Sequence, residues 1–212
     1  MTVTRVLIAD DHAILRRGLK EILVHELQGV VCGEAADARQ VLDQIQASDW
    51  DLVMLDITMP GRSGLDILSD IKAVRPKLPV LVLSMHPEDQ YGKRALKGGA
   101  SGYMKKESAP EELIKAIRKV LAGGRYVSSA LAEKLAVDLN DDLLQPVHEA
   151  LSDREFEVLR MIASGKTVGQ IAEELHLSVT TVSTYRARIL EKMDLTTTAE
   201  LIHYALRNHL VD

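Results

Sequence analysis

The 212-residue sequence predicts an α/β domain with a doubly wound, five-stranded parallel sheet, followed by a small all-α domain of four helices with a helix-turn-helix. Up to residue 122, short apolar runs alternate with helix-length amphipathic segments, a pattern typical of a parallel sheet covered by helices. From residue 151 onward the sequence contains no strand-like run. We therefore divide the chain into an α/β domain at 1–122, a linker at 123–149 and an all-α domain at 150–212.

Five short apolar runs are the predicted strands. They are VLIA at 6–9, VVCGEA at 30–35, LVML at 52–55, VLVLS at 80–84 and GYMK at 102–105. The first four are nearly continuous and rich in Val, Ile or Leu, as expected for parallel strands that are buried on both faces.

A helix-length segment follows each predicted strand. These segments lie near 13–27, 37–47, 64–74, 87–98 and 109–122. Asp37 with Gln40, and Ser108 with Glu111, have the spacing of a capping box. Pro87 is expected at the first helical position, where its missing N–H leaves no hydrogen bond unmade.

The predicted linker differs in composition from both domains. It opens with Gly123 and Gly124, ends in a polar stretch with Pro146, and holds two basic and five acidic side chains. The segment SSALAEKLAVDL at 128–139 is able to form a short helix within it.

Four helices are predicted in the last domain, and three begin at a capping-box pair. The pairs are Ser152 with Glu155, Thr167 with Gln170, and Thr197 with Glu200. Ser178 is the expected N-cap of the third helix, and Gly165 is the expected end of the first. Only a short turn separates the second helix from the third, which predicts a helix-turn-helix.

The third of these helices, 179–193, has two different faces. The inward residues, Val182, Tyr185, Ile189 and Met193, follow helical spacing. The opposite face is polar and short-chained, with Arg186 at its flank; it consists of Ser183, Thr184, Ala187, Arg188 and Glu191. Such a face suits contact with nucleic acid. The same face also suits exposure to solvent in a small helical bundle. The balance of seven basic and nine acidic residues in 150–212 favours this second interpretation, because nucleic-acid binders are usually basic.

Composition excludes several classes of protein. With 46% hydrophobic and 27% charged residues and a net charge of −5, the chain is globular rather than disordered. A single cysteine excludes a disulfide framework and a cysteine-based zinc site. No apolar run has the length of a membrane span, and the acidic start does not resemble a secretory signal, so we expect a cytoplasmic protein without membrane contact. The sequence has neither an HExxH motif nor a phosphate-binding glycine loop.

Polar residues follow four of the predicted strands, at the carboxyl edge where doubly wound sheets place their functional crevice. They are Asp10, Asp11, Asp56, Ser84, Lys105 and Lys106. Each acid alone is explained as a helix cap or a loop residue, but their convergence predicts a shared site. Clustered carboxylates with few other ligands suit Mg²⁺, and a carboxylate can act as the nucleophile that forms an aspartyl phosphate. A neighbouring lysine would balance the phosphoryl charge.

The motifs IADDH (8–12), MLDITMPGRSGLD (54–66), VLVLSMH (80–86) and GGASGYMKK (98–106) resemble the receiver domain of two-component response regulators. The resemblance implies a flavodoxin-like sheet of order 2-1-3-4-5. It implies Asp56 as the phosphoryl acceptor, with Mg²⁺ held by Asp11 directly, by Asp10 through water, and by the Thr58 backbone carbonyl. It also implies Ser84 as the switch hydroxyl, Tyr103 as an aromatic that turns inward, and Lys106 rather than Lys105 as the lysine of the site. His86 is expected to be a solvated loop histidine, with shielding of the phosphoryl group as the alternative.

Residues 151–193 resemble the LuxR-type output domain, so the whole chain resembles NarL/FixJ-type response regulators. By position, Ser183, Thr184 and Ala187 are expected to face base edges in the major groove. Arg186, Arg188 and Lys192 are expected to contact phosphates or flanking groups. The last helix, 198–208, with Leu201, Ala205 and Leu206, is the expected dimer contact. Ser183 and Tyr185 stand where the family often has Lys and His, so direct lysine readout is absent.

These resemblances imply a transcription regulator that a histidine kinase phosphorylates on Asp56 and that binds double-stranded operator DNA as a homodimer, with RNA polymerase as a further candidate partner. Two alternatives stay open at this stage. An atypical regulator would use the receiver for binding without phosphorylation. An aspartyl phosphatase would need a second acid two residues after Asp56, where the sequence has Thr58, so we expect no enzyme activity beyond self-phosphorylation and self-dephosphorylation.

Overall fold

The computed structural model describes residues 3–59, 62–138 and 146–211. The chain divides into two compact units, 1–140 and 141–212. Within the described residues, no helix is both long and apolar enough to cross a membrane.

The first unit is built on a five-stranded parallel sheet in the order β2-β1-β3-β4-β5. The strands are β1 (Thr4–Ala9), β2 (Val30–Ala35), β3 (Leu52–Asp56), β4 (Val80–Ser84) and β5 (Gly102–Lys105). Neighbouring strands end level with one another: Ala9 pairs with Leu55, Asp56 with Leu83, and Ser84 with Lys105. The predicted strand order is therefore confirmed, and the polar residues after the strands meet at one edge.

Six helices lie within the described residues of this unit. They are α1 (Ala13–Glu26), α2 (Ala38–Ala47), α3 (Gly64–Val74), α4 (Glu88–Lys97), α5 (Pro110–Leu121) and α6 (Ser129–Asp138). Helices α1 and α5 pack on one face of the sheet, where Leu23 and Ile117 join Val6, Ile8 and Met54 in a common core. The alternate strand residues are equally buried, so the other face is covered as well.

Two predicted helix starts are wrong, and each lies at a proline. Helix α5 begins at Pro110 with Ala109 as its N-cap, so Ser108 and Glu111 form no capping box. Proline suits the first helical position because it has no N–H to leave unpaired. Pro87, in contrast, has an extended ψ of 133° and is the N-cap of α4 rather than its first residue.

The predicted linker of 123–149 is too long at both ends. Tyr126 is bonded to β5: its N–H donates to Ser101 O at 2.9 Å, and its carbonyl accepts from Tyr103 N–H at 3.2 Å. Helix α6 is the short helix that the sequence allowed, and its Leu131 is buried in the first unit. At the other end, His148 in a 3₁₀ turn (Val147–Ala150) contacts the second unit. Residues 139–145 lie outside the described ranges.

In the part of the second unit that the structure describes, four helices follow that turn: α7 (Asp153–Ala163), α8 (Val168–Glu174), α9 (Val179–Lys192) and α10 (Thr198–Arg207). All three predicted capping boxes are present, and Ser178 caps α9 through the Thr181 N–H. Gly165, with φ of +84°, takes the left-handed conformation that ends α7. Val182, Ile189 and Met193 are buried as predicted, whereas Tyr185 is only half-buried.

Gly64 allows α3 to begin directly against the end of β3. Its N–H donates to Ile57 O at 2.7 Å, and a Cβ atom there would lie 2.0 Å from the Asp56 carbonyl oxygen. We expect Gly64→Ala to lower the free energy of unfolding of the first unit by about 2–3 kcal/mol, because the backbone must shift. Urea titration followed by the fluorescence of Trp50, the single tryptophan, reports this unit.

Gly18 is the matched control for this prediction. It lies inside α1 with no atom within 4 Å of an added Cβ, so Gly18→Ala should stabilise the unit by about 0.5–1 kcal/mol. Equal effects of the two alanines would contradict the close approach at Gly64.

Candidate functional site

Three of the predicted acids converge at the carboxyl edge of the sheet. Ligand atoms of Asp10, Asp11, His12 and Asp56 all lie within 4.8 Å of one another. Asp10 and Asp56 are buried, and Asp11 is half-buried. They meet because β1 and β3 are adjacent parallel strands that end at the same level.

Lys106 bridges two of these acids. Its Nζ lies 2.6 Å from Asp10 Oδ2 and 2.6 Å from Asp56 Oδ2, and its side chain is only 6% exposed. Lys105, the alternative from sequence position, is exposed on β5. The structure therefore brings Lys106, and not Lys105, into the acid cluster.

Burial and charge act in opposite directions on this cluster. Burial raises the pKa of Asp56 to about 6, although the Lys106 ammonium and the Thr58 N–H both act to lower it. Burial acts to lower the pKa of Lys106, but the two carboxylates outweigh it and the pKa is raised. Lys106 is therefore a cation at neutral pH, and Asp56 is an unusually basic carboxylate.

The donor set fits a hard divalent cation. Three carboxylates beside one ammonium leave a negative balance, and carboxylate oxygens that share a site repel one another unless a cation joins them. Mg²⁺ prefers oxygen ligands of this kind and usually keeps several waters. Thr58 lies beside the cluster, where its N–H donates to Asp56 Oδ1 at 3.0 Å. The predicted use of its backbone carbonyl as a ligand stays a prediction.

His86 connects the two predicted switch residues. The buried Ser84 hydroxyl accepts from His86 N–H at 2.9 Å, and the Tyr103 hydroxyl donates to His86 O at 2.9 Å. The Tyr103 ring is already fully buried, so its inward position is present in this structure. Ser84 and Tyr103 are thus joined through the backbone of the loop between β4 and α4.

The expectation that His86 is a solvated loop histidine is wrong. Its ring is half-buried, stacks on Tyr91 at 4.5 Å between ring centroids, and has Nε2 3.0 Å from Thr58 Oγ1. Sequence reasoning also missed Arg16, which donates from Nη1 to the Asp10 backbone carbonyl at 2.6 Å. The local sequence around His86 and Arg16 does not indicate these contacts, because both depend on how helices pack against the sheet.

The outer face of α9 carries the predicted nucleic-acid contacts. Thr184, Ala187 and Arg188 are exposed, whereas Ser183 and Arg186 are half-buried. Lys192 is different, since its Nζ binds the buried Glu155 carboxylate at 2.7 Å. That carboxylate also caps α7 by accepting from Ser152 N–H, so Lys192 holds α9 against α7.

The predicted dimer contact on α10 needs correction. Leu201 and Ala205 are fully buried in the core of their own unit, and only Leu206 is exposed. Apolar spacing alone does not distinguish a residue that fills the core from one that binds a second copy.

Comparison with known proteins identifies both units. Residues 6–118 match the response regulator receiver domain, and residues 149–205 match bacterial regulatory proteins of the luxR family. This chain is a LuxR-type response regulator. It is 36% identical to the response regulator GacA of Pseudomonas aeruginosa over 210 residues, which is 98% of each chain. It is 34% identical to the response regulator UvrY of Escherichia coli O6:H1 over 207 residues, 97% of this chain and 94% of UvrY.

A solved structure supports the same identification. RcsB from Salmonella enterica serovar Typhimurium, bound to promoter rprA in the presence of the phosphomimetic BeF3−, matches this response regulator with a TM-score of 0.65. The two are 29% identical, and the match covers 96% of this chain and 98% of RcsB.

The raised pKa of Asp56 makes receiver stability depend on pH. The folded receiver holds the Asp56 proton more tightly than the unfolded chain, so the ionised acid destabilises the fold above pH of about 6, and this cost shrinks toward pH of about 4. A pKa of about 6 against the ordinary 3.8 corresponds to at most roughly 3 kcal/mol. We therefore expect Asp56→Asn to raise the unfolding free energy at pH of about 7.5, and to raise it less at pH of about 5.

Urea titration with Trp50 fluorescence, with a chelator present to exclude metal, measures this effect. Asp43→Asn, an exposed acid on α2, is the control and should show no such pH dependence. A receiver that Asp56→Asn destabilises at neutral pH would contradict the unfavourable burial of this charge.

Proposed function

We propose that a histidine kinase phosphorylates Asp56 and that the phosphorylated receiver promotes DNA binding by the LuxR-type domain. The observation that carries this proposal is the buried Asp56 carboxylate held between Lys106 and two further acids. A regulator that binds operator DNA acts in the cytoplasm.

The chemistry follows from the atoms at the site. An Asp56 carboxylate oxygen attacks the phosphorus, a new P–O bond forms, and the P–N bond to the kinase histidine breaks. Lys106, already 2.6 Å from Asp56, turns toward a phosphoryl oxygen and balances its charge. The Ser84 hydroxyl, at the end of the neighbouring strand, donates to another phosphoryl oxygen.

Asp10, Asp11, Asp56 and the Thr58 carbonyl are the groups that would hold Mg²⁺. A bound Mg²⁺ supplies positive charge that neutralises the phosphoryl oxygens during transfer. Arg16 donates to the Asp10 backbone carbonyl at 2.6 Å and so helps to fix the backbone that carries this carboxylate.

In the LuxR-type domain, α9 is the recognition helix of the proposal. Ser183, Thr184 and Ala187 would face base edges, with Arg186 and Arg188 as the cationic contacts to phosphates. We leave Lys192 out of this set because it is bound to Glu155. Two copies bound one helical turn apart, at about 34–36 Å, would contact a roughly palindromic operator. RNA polymerase is a further candidate partner once the regulator is bound there.

The chain is not proposed to turn over a separate substrate. An aspartyl phosphatase needs an acid/base carboxylate, and Thr58 occupies the position two residues after Asp56. The atypical regulator without phosphorylation is the remaining alternative, and the intact set of acids with Lys106 argues against it.

Intact mass spectrometry tests the acceptor. After incubation with Mg²⁺ and a small phosphoryl donor, we expect one phosphoryl adduct on the wild-type chain and none on Asp56→Asn. The adduct should also be lost with a chelator, while Asp43→Asn should behave as wild type. Absence of an adduct with every donor tried would support the atypical regulator.

Salt dependence tests the recognition helix. Selection of DNA sequences by the activated protein would supply the operator. On that operator, Arg188→Ala should weaken binding across sequences and reduce the salt slope by about 1, because one phosphate contact is lost. Arg207→Ala, a cation on α10, is the control; an equal loss there would mean that general charge, and not α9, determines binding.

A further inference from the structure

A basic recess lies at the edge of the sheet where the strands begin, opposite the edge that carries Asp56. It is a cavity of about 420 Å³ between the ends of α3 and α4 and the starts of β4 and β5. Four of its described lining residues are cations, and none of them is acidic. The volume is in the usual range of small-ligand sites. The residues used below are Lys72, Lys77, Lys97, Gly99, Ser101 and Arg125.

Helix ends account for only two of these cations. Lys72 and Lys97 lie in the last turns of α3 and α4, where a positive charge stabilises the helix dipole. Lys77 and Arg125 lie outside any helix, in the segments that follow α3 and α5, and both are exposed. The helix dipoles therefore do not explain why Lys77 and Arg125 line the same recess.

Lys72 is the most firmly held of the four. Its Nζ donates to Leu78 O at 2.7 Å, which fixes the end of the side chain. The stem of Lys72 lies across Gly99, where an added Cβ would be 3.3 Å from Lys72 Cγ. Gly99 has a φ of +95°, a conformation that favours glycine, so this wall of the recess is formed by backbone.

The cations of the recess repel one another. Burial lowers the pKa of Lys72, and the Arg125 cation lowers it further, while no carboxylate among the described residues acts to raise it. An anion bound between Lys72 and Arg125 would replace this repulsion with attraction.

We propose that the basic recess binds a small polyphosphate anion, of which pyrophosphate is the simplest. A phosphate group carries at most about two negative charges near neutral pH, so two linked groups balance four cations. Lysine and arginine N–H groups form charge-assisted hydrogen bonds with phosphate oxygens, and the Ser101 hydroxyl adds a neutral donor.

The lining indicates that the phosphate chain itself is recognised. Among the described residues of the recess there is no aromatic side chain, so a nucleobase would have no ring on which to stack. Duplex DNA carries its phosphates on the outside of a stiff rod, whereas these cations surround a concave site. We therefore assign the recess to a free polyphosphate and not to a nucleotide or to DNA.

The proposal is independent of phosphorylation, because the recess and the acid cluster lie at opposite edges of the sheet. A ligand that binds only the folded receiver stabilises it by mass action. The free energy of unfolding, measured by urea titration with Trp50 fluorescence, should therefore rise with pyrophosphate concentration.

Isothermal titration calorimetry with sodium pyrophosphate tests the site directly. The full chain is titrated in metal-free buffer, so that pyrophosphate cannot bind through Mg²⁺ at Asp56. We expect one site per chain, with an affinity that falls as chloride is raised, because salt screens exposed charges. ADP has the same two phosphate groups and should bind no more tightly than pyrophosphate.

Two substitutions locate the binding site. Lys77→Gln and Arg125→Gln each remove an exposed cation from the recess and should leave the fold intact. Each should weaken pyrophosphate binding about tenfold, because a charge-assisted hydrogen bond is lost. Lys115→Gln, an exposed cation on α5 outside the recess, and Arg188→Ala on α9 are the controls and should leave the affinity unchanged.

Three results would overturn the proposal. The first is an absence of pyrophosphate binding at low salt, or binding that Lys77→Gln and Arg125→Gln leave unchanged. The second is ADP binding tenfold tighter than pyrophosphate, which would mean that the nucleoside is recognised. The third is a loss of duplex DNA binding in these two variants without any binding of pyrophosphate, which would make the recess a nucleic-acid contact. The adduct on Asp56, measured separately by mass spectrometry, reports the proposed function in every case.

Discussion

The receiver depends on the ion pairs that Lys106 makes with Asp10 and Asp56. Three carboxylates at the ends of β1 and β3 would repel one another strongly in a site with little water. One buried ammonium, 2.6 Å from two of them, holds the ends of β1, β3 and β5 together. At an effective dielectric of about 20, a charge pair at about 4 Å is worth about 4 kcal/mol, so the lysine offsets part of the cost of burying the two carboxylates.

The same interaction gives the site its capacity to switch. The Lys106 ammonium balances the Asp56 carboxylate only while Asp56 carries a single negative charge. A group that adds negative charge and volume at Asp56 must displace the Lys106 side chain and needs a second hydrogen-bond donor. Ser84 is the neighbouring hydroxyl at the next strand end. Because Ser84 already bonds the His86 backbone, the charge change at Asp56 cannot stay local.

The sequence predicted what depends on periodicity and parallel geometry. Apolar runs located the strands, and the rule that carboxyl ends share an edge predicted that Asp10, Asp56 and Lys106 would meet. The predictions from sequence were wrong where the surroundings of a residue depended on tertiary packing. Leu201 and Ala205 have the same apolar pattern whether they fill a core or face a partner, and His86 gave no sign that Tyr91 would cover it. The predicted capping box at Ser108 was wrong for a local reason, because the proline two residues later determines where α5 begins.

The charge distribution of the LuxR-type domain explains why DNA binding would depend on the receiver. Residues 150–212 hold seven basic and nine acidic side chains, and Lys192 and Arg154 are bound to Glu155 and Glu157. On α9, Arg186 and Arg188 are then the cations left for the proposed phosphate contacts. Few phosphate contacts mean weak binding of a single domain at physiological salt. Joining two such domains raises the effective concentration of the second without any new contact to DNA. A receiver that controls how two copies come together would therefore change operator occupancy without any change within α9.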